Sequence, residues 1–498
     1  MSNHLVSGLM ARSPGPQHRF IETADGRAFS YRDMAALSGR LASALVALGV
    51  EPGDRVAVQA EKSVEALALY IAVVRAGAVY LPLNMAYTRA EVGYFVGDAA
   101  PRLLVVDPAR RDSVATSCAA GSRVETLGAA GGGTLMERAE GMPDRFADRR
   151  RGGEDLAAIL YTSGTTGRSK GAMLTHDNLL SNAITLAELW RFTPEDVLLH
   201  ALPIFHTHGL FTATNTVLAA GAALLFLPRF DPAEVVRLMP RATVMMGVPT
   251  FYVRLLDEPG LPQAAAGMRL FVSGSAPLLA DTHAGFAART GHAILERYGM
   301  TETNMTTSNP YDGPRVPGRV GPPLPGVSVR VTERTTGAVL PAGETGMVEI
   351  RGPNVFAGYW RDPERTRTEF TDDGYFVSGD LGCFDGSGSL AIVGRVKDLV
   401  ITGGYNVYPK EVEAAVDALP GVLESAVIGL PDGDLGEAVA AVVVPRPGVT
   451  LEEGEILAAI ADRLARFKRP RRVFLVAELP RNAMGKVQKN LLRTRFAP

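Results

Sequence analysis

The sequence predicts an α/β protein of two domains: a large N-terminal domain of two α/β layers with a distorted β-barrel over residues 1–394, and a small mobile α+β domain over 399–498, joined through 395–398. Three observations lead there. Apolar runs of strand length alternate with helix-length segments as far as Ser273, the pattern of parallel sheets with crossover helices. Between Gly318 and Ile392 the text turns to short strands separated by Gly, Pro and Asp turns, a distorted antiparallel barrel or sheet. After Arg395 it changes again, into helices and strands that fill a unit of about a hundred residues, an ordinary domain size.

The elements follow in order. Residues 56–58 read as a strand, 63–76 as a helix ended by Gly77, and 78–81 as the next strand, a βαβ unit. Thr88 with Glu91 makes a capping box for a further helix before the strand 102–106. From Pro108 to Gly153 the text loosens into Ala, Gly and Arg, including Gly131-Gly132-Gly133 and Arg149-Arg150-Arg151, and reads as a loop-rich surface crossing with solvated arginines. Strands 156–161 and 172–174 flank a polar loop, and Thr175 or Asp177 caps a helix ending near Trp190. Strands at 197–202, 222–227, 244–248 and 270–273 build the second layer. In the small domain, helices at 411–419 and 452–467 accompany strands at 423–430, 438–444 and 473–476.

At 498 residues the chain exceeds what one hydrophobic core supports, which agrees with two domains. A net charge of -2 gives no reason to expect nucleic acid. The apolar stretch 217–227 is interrupted by Gly221 and is too short to span a bilayer, and residues 1–10 lack the apolar core of a signal peptide. A cytoplasmic enzyme with no membrane partner is expected. Cys118 and Cys383 match no metal or CxxC spacing and read as reduced, buried thiols.

Five segments carry chemistry. The loop between the strands at 156–161 and 172–174 runs Thr162, Ser163, Gly164, Thr165, Thr166, Gly167, Arg168, Ser169, Lys170, Gly171. Glycines let such a backbone wrap an anion, hydroxyls add donors and Lys170 adds a point charge, so the composition suits phosphate. It is not a Walker A loop, because Lys170 is followed by Gly171 and no helix begins there. Tyr298-Gly299-Met300-Thr301-Glu302-Thr303 offers a carboxylate among hydroxyls, suited to Mg²⁺ beside phosphates, although a polar turn reads equally well from these residues alone. Ser378-Gly379-Asp380 places an Asp after a turn, where a ribose diol or an Asx turn could use it. Gly394-Arg395-Val396-Lys397-Asp398, with Gly403-Gly404 beyond, marks the composition break and suits a hinge. The fifth is Lys486 on a Gly loop near the C-terminus, one of only seven lysines in an arginine-rich chain.

With these five in this order, nearly the whole chain resembles the adenylate-forming superfamily of acyl-CoA synthetases, luciferases and peptide-synthetase adenylation domains. Within it the stretches 201–210, 270–279, 296–310 and 397–411 are most similar to the malonate-activating CoA ligases. The resemblance implies tasks. Thr162 to Lys170 would hold the β- and γ-phosphates of ATP; Gly274, Ser275 and Ala276 with Tyr298 would line the adenine pocket. Thr301 would contact the α-phosphate, Glu302 with Thr162 would hold Mg²⁺, and Asp380 and Arg395 would bind ribose. Lys486 would bridge the carboxylate and the α-phosphate, stabilising the charge that builds up in the in-line transition state. Coenzyme A would then attack the acyl-AMP after a rotation about Lys397 that withdraws Lys486 and brings Gly403 and Gly404 to the pantetheine channel. His206 would gate the passage between acyl pocket and CoA tunnel, though a core histidine reads equally well without the resemblance.

Arg297 selects the acid. It precedes Tyr298 and should look into the acyl pocket, where its fork can hold a second carboxylate, with Ser275 assisting. A surface arginine neutralised by Glu296 is the alternative. Thr207 and Met305 should limit room at the α-carbon, which favours malonate, admits methylmalonate and excludes longer acids. Two other readings stay open here: a ligase for an aryl, fatty or short neutral acid, and a non-catalytic nucleotide-binding or carrier-docking module. Against the second stand Glu302, Asp380, Arg395 and Lys486 together, and the lack of a carrier domain after Pro498. A lysine acyltransferase that neutralises Lys486 is a further expected partner.

Overall fold

The computed structural model describes residues 3–115, 122–162, 169–482 and 485–497. The chain divides into two compact units, Met1–Ser328 with Ile350–Phe376, and Val329–Glu349 with Val377–Pro498.

Two sheets organise the first unit. One has six strands in the spatial order Arg123–Thr126, Leu103–Val106, Arg55–Gln59, Val79–Pro82, Leu156–Thr162, Lys170–Thr175. All its pairs are parallel except the last, a hairpin in which Thr162 faces Lys170. The loop expected to hold phosphate is therefore carried on the end of that hairpin. Its strand partners are apolar and buried from Ala157 to Leu160, so the sheet fixes both ends of the loop. The helix after it, His176–Leu189, starts where expected: Thr175 accepts from the Asn178 N–H, and Asn178 returns the bond. The helix Val64–Arg75 is capped by Ser63, and its near-continuous apolar text is explained by burial of almost every side chain.

The other sheet runs Asn304–Ser308, Leu295–Met300, Leu270–Ser273, Val244–Gly247, Val197–His200, Ala223–Phe226, Arg19–Thr23, Ala28–Ser30. Its centre is parallel and buried on both faces, as the unbroken apolar runs require.

The segment 108–153 is more ordered than its text suggests. Arg123–Thr126 adds a parallel edge strand beside Leu103–Val106, and Thr134–Glu140 is a helix. The strand was hidden by Glu125, which is buried and takes hydrogen bonds from Thr134 and, at 2.7 Å, from Arg138. A second surprise is the π-helix His208–Asn215, in which all eight residues are buried. Wide helical turns of this kind occur frequently at functional sites.

Ser328–Thr332, Gly346–Arg351, Phe376–Phe384 and Leu390–Arg395, most of whose residues belong to the second unit, form a four-stranded sheet in that order, so the short strands of the middle segment make a sheet. Tyr405–Val407, Val400–Thr402, Gly436–Pro445 and Val422–Asp432 form another, with Arg472–Leu475 paired parallel to Gly436–Pro445. The helix expected over 452–467 covers only Glu453–Ala459. Ile456, Ile460 and Leu464 are all buried at helical spacing, and looser turns carry the same apolar stripe onward, so periodicity cannot see where the helix stops. A last helix, Lys489–Phe496, was not expected. Cys383 is half-buried and not a core thiol; Cys118 lies outside the described residues. Among the described residues, no helix is long and apolar enough to cross a membrane.

Candidate active site

Arg297 lies on the strand Leu295–Met300 and is 3 % exposed, so it is not the surface arginine of the alternative reading. Burial pulls its guanidinium down to about 9, and its Nε and Nη2 meet no hydrogen-bond partner among the described residues. The group rests against Gly274, just past the strand Leu270–Ser273. A Cβ there would lie 2.4 Å from Arg297 Cζ, so the glycine leaves the space that the arginine fills. Next to it Ser275 adopts the left-handed conformation, φ 73°, a strained backbone for a residue with a Cβ. Ser275 Oγ lies 3.2 Å from Nδ1 of His208, the first residue of the π-helix.

His208 is buried and held neutral, first by desolvation and then by Arg297, His206 and His200. Among the described residues its Nε2 has no partner, nor do the hydroxyls of Thr207, Thr212 and Ser273. Buried polar groups are nearly always satisfied. A buried cation with two open donors and several open side chains beside it suits an anionic group. With Ser275 donating to Nδ1, His208 presents Nε2–H as a further donor. Met305 is buried and packs its methyl against Gly299, where a Cβ would come within 2.8 Å; His206 is half-buried, its Nδ1 3.4 Å from the His208 N–H donor.

Thr301, Glu302 and Thr303 form the turn between the strands Leu295–Met300 and Asn304–Ser308. The turn is tight: a Cβ on Gly299 would lie 1.9 Å from the Asn304 carbonyl oxygen, and Asn304 takes a left-handed φ of 47°. Thr301 and Glu302 are both buried, while Tyr298 and Ala276 are half-buried. Glu302 Oε1 lies 3.2 Å from the Tyr359 hydroxyl and 3.4 Å from that of Thr162. Lys170, at the far end of the phosphate-loop hairpin, places Nζ 2.9 Å from Glu369 Oε1 and 4.6 Å from the Tyr359 ring centre. Ser163, Gly164, Thr165, Thr166 and Gly167 lie outside the described residues.

In the second unit Asp380 and Arg395 face each other across adjacent strands, with Nε to Oδ1 at 2.7 Å; Asp380 is buried. Lys397 lies on the 3₁₀ turn Val396–Asp398 inside this unit; burial and Arg395 pull its ammonium down against the opposing pull of Asp398 and Asp380. Gly403 and Gly404 form a two-residue hairpin turn, φ 56° and 82°, as a primed turn requires. Lys486 is exposed. Its loop is closed by the Asn482 N–H donating to the Lys486 carbonyl at 2.9 Å, and by Arg481, which donates to the Gly485 carbonyl at 2.6 Å while pairing with Glu424.

The structure thus brings Arg297, Gly274 and Ser275 together, and separately Thr162 and Glu302. Sequence reasoning missed His208, Ser273, Tyr359 and Glu369. His208 had a signal, a second histidine two residues after His206 inside a long apolar stretch; Glu369 sits in an Arg- and Thr-rich helix region that reads as ordinary surface.

A hairpin ending at Thr162 and Lys170, the buried Glu302 carboxylate beside Thr162 and the buried Arg297 on the strand before it suit a nucleotide-using enzyme. The chain belongs to the AMP-binding enzyme family, whose model matches residues 11–360, with the AMP-binding enzyme C-terminal domain matching 411–486. It is 34 % identical to a malonate–CoA ligase of Arabidopsis thaliana over 95 % of this chain and 86 % of that one. It is 35 % identical to a feruloyl-CoA synthase of an Amycolatopsis species, over 95 % and 94 %. Among solved structures, ATP-bound MatB from Rhodopseudomonas palustris is 60 % identical, with a TM-score of 0.98 over 100 % of this chain and 99 % of that one.

Proposed function

We infer that the chain ligates malonate to coenzyme A, consuming ATP and releasing AMP and pyrophosphate through a malonyl-AMP intermediate. The buried Arg297 with two unpaired donors carries the choice of acid, because a monoacid would leave that charge uncompensated. Relatives named as malonate–CoA ligases, in Arabidopsis thaliana and Mus musculus, support the same reading.

The chemistry follows from a poor electrophile. A carboxylate resists attack by a thiol, so one malonate carboxylate first displaces pyrophosphate from the ATP α-phosphorus, giving a mixed anhydride whose AMP leaves when the CoA thiol attacks. Arg297, Ser275 and His208 hold the other carboxylate. Thr207 and Met305 bound the α-carbon and leave methylmalonate as a slower substrate. Gly274, Ser275, Ala276 and Tyr298 take the adenine, Asp380 and Arg395 the ribose, Thr301 the α-phosphate, and Thr162 to Lys170 the outer phosphates. Lys486 supplies the ammonium that draws carboxylate and α-phosphate together. Residues 395–398, through Lys397, form the hinge that ends the large domain at 394; Gly403 and Gly404 then serve CoA, and His206 gates its tunnel.

The buried Glu302 carboxylate, with the Thr162 hydroxyl beside it, offers the oxygen donors that Mg²⁺ accepts next to phosphates. When bound, Mg²⁺ would neutralise phosphate charge there. The exposure of Lys486 also suits a lysine acyltransferase, and acylation would silence adenylation by removing the ammonium charge.

ATP/pyrophosphate exchange with malonate, methylmalonate, succinate, acetate and benzoate side by side tests the reading. Malonate should lead with methylmalonate behind it; faster exchange with acetate or benzoate would refute the diacid assignment.

A further inference from the structure

Glu369, which neither the phosphate task of Lys170 nor the cation task of Glu302 uses, pairs with Lys170 and is linked to Glu302 through the Tyr359 hydroxyl. Glu369 follows the helix Pro363–Thr368 and is half-buried. Its Oε1 takes Lys170 Nζ at 2.9 Å and Arg365 Nε at 2.9 Å. Its Oε2 lies 2.7 Å from the Tyr359 hydroxyl, which is also 3.2 Å from Glu302 Oε1. One hydroxyl has one proton, so only one of these carboxylates receives it at a time.

The backbone holds this cluster in register with the loop. The Trp360 N–H donates to the Gly171 carbonyl at 2.8 Å, and the Met173 N–H donates to the Gly358 carbonyl at 2.9 Å, so Tyr359 is pinned beneath the strand that leaves the loop. Lys170 is 11 % and Glu369 25 % exposed at the side chain, so water screens their pairing less than at the open surface.

We propose that Glu369 is a positioning residue that competes with the nucleotide's outer phosphates for Lys170, and that the Tyr359 hydroxyl turns its hydrogen bond fully to Glu369, keeping its proton, when the lysine leaves. The inference rests on Lys170 being a phosphate ligand. In the nucleotide-free chain Lys170 is neutralised by Glu369. When a triphosphate takes the ammonium, Glu369 keeps Arg365 and gains the full hydrogen bond from Tyr359, so its charge is never left bare. The Glu302 carboxylate is at the same moment relieved of its competing hydroxyl donor. Glu369 thus lowers the affinity for ATP in exchange for holding Lys170 extended and for easing the later release of pyrophosphate.

The test uses the full chain and the isosteric change Glu369→Gln. Equilibrium dialysis with ATP in the absence of any acid should show binding tightened about fivefold, the factor that loss of one half-buried competing ion pair represents. Brief acetylation of the nucleotide-free protein, read by mass spectrometry against Lys410 as internal reference, should label Lys170 several-fold faster in the variant. Glu369→Asp, which withdraws the carboxylate but keeps its charge, should move both readouts the same way and serves if the amide variant does not fold. Unchanged or weaker ATP binding together with unchanged Lys170 labelling overturns the proposal. Lys170→Ala separates the two levels: if it leaves ATP binding unaltered, the phosphate role itself fails, whereas weakened binding there with no tightening in Glu369→Gln defeats only the competition.

Discussion

Replacing Arg297 by methionine removes the charge while keeping most of the side-chain volume against Gly274, so the change tests electrostatics more than packing. In the wild-type chain Nε and Nη2 are the two open donors. Charge-assisted hydrogen bonds contribute about 1.5–3 kcal/mol each, so losing two costs about 3–6 kcal/mol, or about 10² to 10⁴ in kcat/KM for malonate. ATP/pyrophosphate exchange measures this directly, with acetate as the control acid: its slow exchange should hold steady or rise, since a neutral pocket no longer penalises a methyl group. Stability should move the opposite way. Arg297 is a buried charge whose Nε and Nη2 have no partner among the described residues, so the variant should melt at a higher temperature than the parent, and malonate should no longer raise that temperature. Arg297→Ala should abolish malonate use with the fold retained. A malonate kcat/KM within about threefold of the parent, where about 10² is the smallest loss expected, would refute the second-carboxylate role.

Gly274→Ala should cut malonate-dependent exchange by about tenfold or more, because the new methyl would sit 2.4 Å from the guanidinium carbon and must displace it; an unchanged KM for malonate would show that the two do not share that space during turnover. Lys486→Ala should lower adenylation by about 10² or more while thioester formation from supplied malonyl-AMP is largely retained, and equal loss in both half-reactions would contradict a role confined to the first. Below pH 6.5 stability should fall, because His176, His200 and His208 are buried and kept neutral while the unfolded chain takes up protons there, His176 holding out to about 4. Each contributes stability that is present above 6.5 and lost at about 1.4 kcal/mol per pH unit as the pH drops. Asp417, raised to about 6 by burial, has the opposite sign and offsets one of the three. Thermal melts between pH 7.5 and 5 should therefore show a declining Tm, and a flat profile would count against neutral buried histidines.

Some of this site was legible because its chemistry is local. A Gly/Ser/Thr/Lys loop between two apolar runs reads as the end of a hairpin whatever surrounds it, and the antiparallel pairing of Thr162 with Lys170 bears out the hairpin. The cap at Thr175 and the helix after Ser63 were readable for the same reason: a side chain within three residues satisfies the first N–H groups. The strand holding Glu125 was not, since its buried carboxylate is paid for by Thr134 and Arg138, residues the strand's own text does not contain. The π-helix was likewise invisible, because widening a helical turn depends on what packs around it and not on a period in the sequence.

Residue order alone determined the α/β fold class, the family of enzyme and the suspicion that residue 297 faces an anion, because those rest on periodicity, on loop chemistry and on one charged side chain beside a motif. Only the tertiary structure decided that this charge is buried and unpaired, that His208 joins it, and that Lys170 and Glu302 meet through Tyr359 and Glu369. Those facts depend on desolvation and on partners 57 and 199 positions apart in the chain, and burial is a property that no stretch of sequence carries by itself.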